Sequence, residues 1–138
     1  MKYIIIMLSI MFITDVGTCQ SIDQSICTPG SDPTYHANGR LKTCTLKDNF
    51  AINGVTCKQY ATIDLYDNGK LQSCVTSDYF KYGEITCNQY SQVRFYESGK
   101  LDTCYLSTAV QIDGKTCAPY EAISLFENGK LNSCGTPQ

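Results

Sequence analysis

Leu65-Tyr66-Asp67-Asn68-Gly69-Lys70-Leu71-Gln72-Ser73-Cys74 recurs along this chain, and its copies account for most of the sequence. Phe95-Tyr96-Glu97-Ser98-Gly99-Lys100-Leu101-Asp102-Thr103-Cys104 follows after 30 residues, and Leu125-Phe126-Glu127-Asn128-Gly129-Lys130-Leu131-Asn132-Ser133-Cys134 after 60. Upstream, Tyr35-His36-Ala37-Asn38-Gly39-Arg40-Leu41-Lys42-Thr43-Cys44 keeps the Gly, the cation, the Leu and the Cys in register.

Asn-Gly between apolar-flanked runs is a strong hairpin signal, because a type I′ turn needs φ > 0 at both central residues and these two reach it cheaply. With Asn68 and Gly69 central, Asp67 faces Lys70, Tyr66 faces Leu71, Leu65 faces Gln72 and Ile63 faces Cys74. Alternation then sets Ile63, Leu65 and Cys74 on one face and Tyr66 with Leu71 on the other. Asp67 with Lys70, Glu97 with Lys100 and Glu127 with Lys130 are expected as turn-flanking ion pairs, worth roughly 0.2–1 kcal/mol each.

From Cys27 the cysteines keep time at 27, 44, 57, 74, 87, 104, 117 and 134, four units of Cys-x16-Cys separated by twelve residues. The intervening segments carry a second turn signal: Asn53-Gly54, Asp113-Gly114, and Gly83 preceded by Tyr82. A unit therefore reads as two short hairpins, with strands near 62–66, 70–76, 79–82 and 84–88, and no stretch holds a helical period. The expected fold is all-β: tandem hairpin repeats of about 30 residues, stacked as a small curled sheet or solenoid. Ladders of Ile63, Val93 and Ile123, of Leu41, Leu71, Leu101 and Leu131, and of Tyr60, Tyr90 and Tyr120 follow from that period.

Residues 1–19 read as a signal peptide. Lys2 is followed by an apolar run over 3–13, the length of an h-region and too short to span a bilayer. Val16-Gly17-Thr18-Cys19 resembles a bacterial lipobox, so Cys19 is a candidate lipidation site, with ordinary cleavage at 17–19 as the alternative. Residues 20–33, rich in Ser, Asp, Gln, Pro and Gly, read as a flexible leader, and 34–138 as one β-repeat domain with hairpin copies near 34–44, 62–76, 92–106 and 122–134.

The formal charge of −2 argues against nucleic acid, which demands a basic patch. Ten Tyr and no Trp suit a β-rich chain. Zinc wants ligands two to four residues apart, whereas these cysteines lie 17 and 13 apart with one His in the chain, and no Cys-x-x-Cys is present for redox work. Eight regular cysteines behind an export signal read as four structural disulfides.

Their connectivity is open among about a hundred pairings. Pairing inside each unit, Cys27 with Cys44, Cys57 with Cys74, Cys87 with Cys104 and Cys117 with Cys134, leaves none over; pairing across the twelve-residue segments strands Cys27 and Cys134. The first is preferred. In a flat meander Cys57 and Cys74 would lie two strands apart, roughly 9–10 Å, too far for a bridge. The chain must therefore turn a corner between Cys57 and Ile63.

The segments 66–71, 95–101 and 126–131, more loosely 36–41, and the Ile-x-Gly turns at Ile52 and Ile112 resemble the second variety of MORN-like repeat. Such repeats occur in an antitoxin family and as tandem Asn-Gly-Lys-Leu repeats in uncharacterised secreted or lipid-anchored bacterial proteins. The resemblance implies a β-hairpin repeat fold and is nearly silent on function. This chain adds two Cys per repeat.

The leading functional expectation is an exported binding module, secreted or held at the outer membrane or cell surface by lipid on Cys19. Its partner is another protein or a surface glycan, and its face the row Tyr60, Tyr90 and Tyr120, with packing of those rings as the plain alternative. A second reading is an inhibitor or immunity factor against an exported enzyme, inserting the loop 28–33 into a cleft. An enzyme is the weakest: His36, the one histidine, takes the place of Tyr66 and has no nucleophile arranged beside it. No cofactor and no metal are expected.

Overall fold

The computed structural model describes residues 21–138; the expected signal segment and Cys19 lie outside the described residues. Fourteen short strands follow in chain order. They are β1 (Thr34–Tyr35), β2 (Leu41–Thr45), β3 (Phe50–Ile52), β4 (Val55–Cys57), β5 (Thr62–Leu65), β6 (Leu71–Val75) and β7 (Phe80–Tyr82). Then come β8 (Ile85–Cys87), β9 (Gln92–Phe95), β10 (Leu101–Tyr105), β11 (Val110–Ile112), β12 (Lys115–Cys117), β13 (Ala122–Leu125) and β14 (Leu131–Cys134).

Eight of these form one antiparallel sheet in the order β1-β2-β5-β6-β9-β10-β13-β14. The sheet is open. The hairpins β3-β4, β7-β8 and β11-β12 form separate two-stranded ribbons. The strand boundaries match the two turn signals per unit, with hairpin copies where the Gly-Lys-Leu motif places them.

The turn itself differs from the expected one. Tyr66 N–H donates to Lys70 O at 2.8 Å and Gly69 N–H to Tyr66 O at 2.9 Å, so Tyr66 faces Lys70 across a three-residue loop. Gly69 has φ +83°, Asn68 is not left-handed, and Asn68 Oδ1 accepts from Lys70 N–H at 2.9 Å. Asn-Gly here closes a type I turn with a glycine bulge, not the two-residue I′ turn. Cross-strand partners become Leu65 with Leu71, Asp64 with Ser73 and Ile63 with Cys74, leaving Gln72 extra.

That extra residue reverses the alternation on one strand, so Leu71 joins Ile63, Leu65 and Cys74 on the buried face instead of sharing the other with Tyr66. It also removes the geometry for the ion pair, since Asp67 no longer faces Lys70. Lys70 Nζ reaches the next turn, 3.5 Å from Ser98 O, and Arg40 Nη1 lies 3.5 Å from Asp67 O. The small hairpins do use primed turns. Asn53 and Gly54 have φ of 52° and 77°, and Asp113 and Gly114 of 50° and 75°, the type I′ signs. In the middle copy Gly83 alone is positive, at the first central position, the type II′ sign pattern.

The core lies between the broad sheet and the small hairpins. Cys44, Ile63, Cys74 and Val93 form one buried row across the sheet through successive pairings, and Leu65 faces Leu71 as Phe95 faces Leu101 in the next. From the hairpins come Val55, Cys57, Ile85, Cys87 and Cys117, and the Phe80 ring meets Phe95 edge-on at 5.8 Å. On the opposite face the sheet is polar, its central row running through Thr43, Asp64, Ser73, Arg94, Thr103 and Ser124.

Four disulfides join Cys27–Cys44, Cys57–Cys74, Cys87–Cys104 and Cys117–Cys134, with Cα separations of 5.5–5.8 Å. This is the pairing within units. The chain leaving β4 runs beside the end of β6, with Cys57 bridged to Thr76 and Lys58 N–H donating to Val75 O at 2.7 Å, and only then turns into β5. The corner expected between Cys57 and Ile63 is real, and it is made at 58–61.

Residues 21–33 of the expected leader make defined contacts with the sheet and core. A 3-10 turn, Gln24–Ile26, is capped by the Asp23 side chain, and Ile22 and Ile26 pack on the core in place of a fourth small hairpin. Cys27 is buried, and Thr28 N–H donates to Thr45 O at 2.7 Å. The polar composition that suggested flexibility belongs to the cap and turn chemistry of this segment.

Replacing Cys87 and Cys104 together by alanine removes a loop closure worth about 3 kcal/mol by the chain-entropy relation. Urea unfolding of the double variant should show a loss of that order. A loss below about 1 kcal/mol would assign the hold on β7-β8 to packing instead.

Candidate functional site

Two sets of tyrosines occupy equivalent places in successive units, and the structure separates their roles. The first sits beside the glycine turns. Tyr66 Oη donates to Phe95 O and Tyr96 Oη to Leu125 O, both at 2.8 Å, each reaching the equivalent turn 29 residues on. His36 does the same at 2.7 Å with Leu65 O; a carbonyl only accepts, so Nε2 carries the proton. Asn38 Nδ2 adds a bond to Asp67 O at 2.8 Å. In the last of the four copies the position is Phe126, which has no hydroxyl. His36 is thus a structural donor, with no nucleophile bonded to it.

Burial pushes the Tyr66 and Tyr96 phenols above the ordinary value of 10.0, and Asp102 and Glu127 push the same way while Arg94 opposes at Tyr66. An ionised phenol cannot donate to the carbonyl it holds.

The second set is Tyr60, Tyr90 and Tyr120. Each occupies the corner between a small hairpin and the broad sheet, and each is exposed, by 70%, 63% and 72%. Their backbone is left-handed, with φ of 62°, 55° and 63°. Bulky residues rarely adopt that region, which costs of order 1–3 kcal/mol at a non-glycine residue. The corner is a four-residue turn, closed by Ala61 N–H to Lys58 O at 3.4 Å and, in the first unit, by Ser31 N–H to Thr28 O at 3.1 Å.

A positive φ at the third residue of such a turn calls for Gly or Asn, and Pro suits the second. The first unit has Pro29 and Gly30, with Gly30 at φ +81°. The other three place Tyr where that Gly stands, behind Gln59, Gln89 and Pro119. The strain is supported from behind. Tyr60 N–H donates to Leu46 O, Tyr90 N–H to Thr76 O and Tyr120 N–H to Leu106 O, at 2.8–2.9 Å. Beneath Tyr90 the buried Thr76 hydroxyl also contacts Asn88 O at 2.9 Å.

The side chains themselves meet none of this need. The close aromatic pairs among the described residues are Phe80 with Tyr82 and Phe80 with Phe95. The tyrosine row named from the 30-residue period is exposed, and none of its rings is in a close aromatic pair. Its strain went unread in the sequence, although aligning Pro29-Gly30 with Pro119-Tyr120 carries the signal.

At the Gly30 end of the row lies an open cleft of about 510 Å3, lined by Asp23, Thr28, Pro29, Ser31 and Lys47 among others. Among the described residues no group of three or more His, Cys, Asp or Glu side chains converges on a point, and no helix is long and apolar enough to cross a membrane. The four disulfides are those of an extracellular or periplasmic protein. No family model, no curated protein and no solved structure matches the chain.

A phenol whose pKa is raised by folding keeps its proton longer in the folded chain than in the unfolded one. The stabilisation from Tyr66 and Tyr96 is whole below pH 10.0 and is lost as the pH climbs through the raised values. Urea midpoints should fall above about pH 10. The double variant Y66F/Y96F should start less stable at neutral pH and show a shallower alkaline fall. An unchanged alkaline slope would remove these two hydroxyls from the account.

Proposed function

We propose that this chain is an exported binding module whose 30-residue units stack as a small repeat array and present Tyr60, Tyr90 and Tyr120 to a partner. The observation that carries the reading is the left-handed backbone of three exposed tyrosines at a position where the first unit uses glycine. Glycine serves the turn at no steric cost, so three tyrosines there are kept for what their rings touch. A frame already fixed by disulfides and backbone bonds has little left to order on binding, which favours affinity. In this reading the array works outside the cell, free or held at the outer membrane or cell surface by lipid on Cys19.

The inhibitor reading has one observation in its favour. The loop 28–33 is tied down, with Thr28 Oγ1 donating to Leu46 O at 3.0 Å and Ser31 Oγ to Thr28 O at 2.7 Å, as a rigid cleft-inserting loop must be. Tight one-to-one binding to an exported hydrolase, lost on changing Pro29 and Ser31 but kept without the tyrosines, would favour it.

The triple variant Y60G/Y90G/Y120G tests the leading reading. It should fold with its disulfides formed and melt no lower than the parent, while losing capture of the partner that the parent retains from envelope and secreted fractions of the host. Equal capture by both would end the proposal. The intact mass of the protein from its host should show an N-terminus at 18–20 and, before reduction, a deficit of eight hydrogens for four disulfides. A diacylglycerol on Cys19 assigns it to a membrane, and its absence to the medium or the periplasm.

A further inference from the structure

Asn-Gly pairs stand at 38–39, 53–54, 68–69 and 128–129. In such a pair the backbone nitrogen that follows the Asn side chain belongs to a residue with no side chain to shield it and with little restriction on its φ. The fold treats the four pairs unequally. In the glycine-bulge turns the pair is tied down: Gly39 N–H donates to His36 O, Gly69 N–H to Tyr66 O and Gly129 N–H to Phe126 O, at 2.8–2.9 Å. Each of these Asn side chains is held as well, its Oδ1 accepting from the N–H of Arg40, Lys70 or Lys130 at 2.9–3.0 Å.

Among the described residues, none of these ties is made at Asn53-Gly54, the exposed tip of the β3-β4 hairpin. Its type I′ turn is closed by Ile52 with Val55, so the amide between the two central residues holds neither strand. Turning that amide over converts a I′ turn into a II′ turn, which leaves the strands paired and carries Asn53 ψ to about −120°. The same hairpin in the next unit already has the II′ sign pattern at Gly83-Glu84, so the frame accepts both turns. Gly54 crosses freely from positive to negative φ. At that ψ its nitrogen lies alongside the Asn53 side chain, in reach of the carbonyl carbon Cγ.

We infer that Asn53 is a site of self-modification in the folded chain, through a succinimide formed with Gly54. The Gly54 nitrogen attacks Asn53 Cγ, and the new N–C bond closes a five-membered ring. The Cγ–Nδ2 bond breaks, and Nδ2 leaves as ammonia with the proton that the Gly54 nitrogen gives up. Water then opens the ring at either carbonyl. Addition at Cγ yields aspartate; addition at the main-chain carbonyl yields isoaspartate, whose backbone runs through Cγ and is longer by one methylene. Either way an amide and water become a carboxylic acid and ammonia, with no oxidant or reductant.

The aspartate product is one the fold already uses. Asp113 stands at the equivalent position of the fourth unit, in the same I′ turn, and its carboxylate accepts from Leu131 N–H at 2.7 Å. By that equivalence the product carboxylate at 53 takes Leu71 N–H. Asn53 shares an open cleft of about 320 Å3 with Arg40 and Lys70, so the new negative charge enters beside two cations. Isoaspartate instead adds an atom to the main chain of a two-residue loop and breaks the turn.

The experiment incubates the disulfide-bonded mature protein at mildly alkaline pH in isotope-labelled water. Aliquots are digested at acidic pH, where ring closure is slow, and the labelled acid form of each Asn-Gly peptide is counted by mass. A hydrogen bond that must open first slows the reaction by about fivefold, so residue 53 should react about twentyfold faster than 38, 68 or 128. In the reduced, alkylated and unfolded chain the four pairs should react at similar rates, because the dipeptide is the same. Equal rates at the four sites of the folded protein, faster reaction at a bulge turn, or the same preference for 53 after unfolding each overturns the proposal. N53D, the product itself, should fold and melt no lower than the parent; a lower melt overturns the bond to Leu71 N–H.

Discussion

A disulfide that crosses between two layers is the constraint on which the rest of this structure depends. In each full unit a small hairpin of three-residue strands lies against the inner face of the broad sheet, and neither layer buries enough to stand alone. Cys57 at the end of β4 is bonded to Cys74 on β6, and the equivalent bonds recur in every unit. The half-cystines are themselves core: Cys57, Cys87, Cys104 and Cys117 are fully buried among Leu, Ile and Val. The same bond sets the path of the backbone. Because Cys57 must reach Cys74, the chain runs on beside β6 before entering β5, and the corner at 58–61 returns it to the sheet.

Much of this was legible. The cysteine spacing and the pairing that leaves none over led to the right bonds, and the two turn signals per unit led to strands within a residue or two of those observed. The misread turn shows where local rules run out. Asn-Gly serves both as the centre of a type I′ turn, as at Asn53-Gly54, and as the end of a three-residue loop, as at Asn68-Gly69. The difference lies in parity across the strands. Leu65, Leu71, Ile63 and Cys74 are all apolar, and only one extra residue, Gln72, lets them share a face. The contacts of residues 21–33 were hidden for a different reason: a polar segment that caps a core end and makes a Pro-Gly turn has the composition of a loop.

The tyrosines mark a conflict between levels that is absent elsewhere among the described residues. Gly39, Gly69, Gly99 and Gly129 agree with the positive φ their turns require, and so does Gly30. Tyr60, Tyr90 and Tyr120 disagree with theirs, three times in the same way. The neighbouring set, Tyr66 and Tyr96, shows what tyrosine does here when it serves the fold: half-buried, with its hydroxyl on a carbonyl of the next turn. Exposure alone would not distinguish a binding ring from a stray one. Exposure combined with a backbone that rejects the residue sets these three apart from Tyr66 and Tyr96.

Because each bond closes inside its own 30-residue unit, the chain has a genetic property as well as a mechanical one. Recombination between copies that inserts or deletes a whole unit adds or removes two cysteines that already pair with one another, and no thiol is orphaned. The tyrosine travels with them. Unequal crossing-over in such a gene can therefore lengthen or shorten the chain in steps that each remain oxidisable to completion, so its length is free to vary under selection while its chemistry of cross-linking is not.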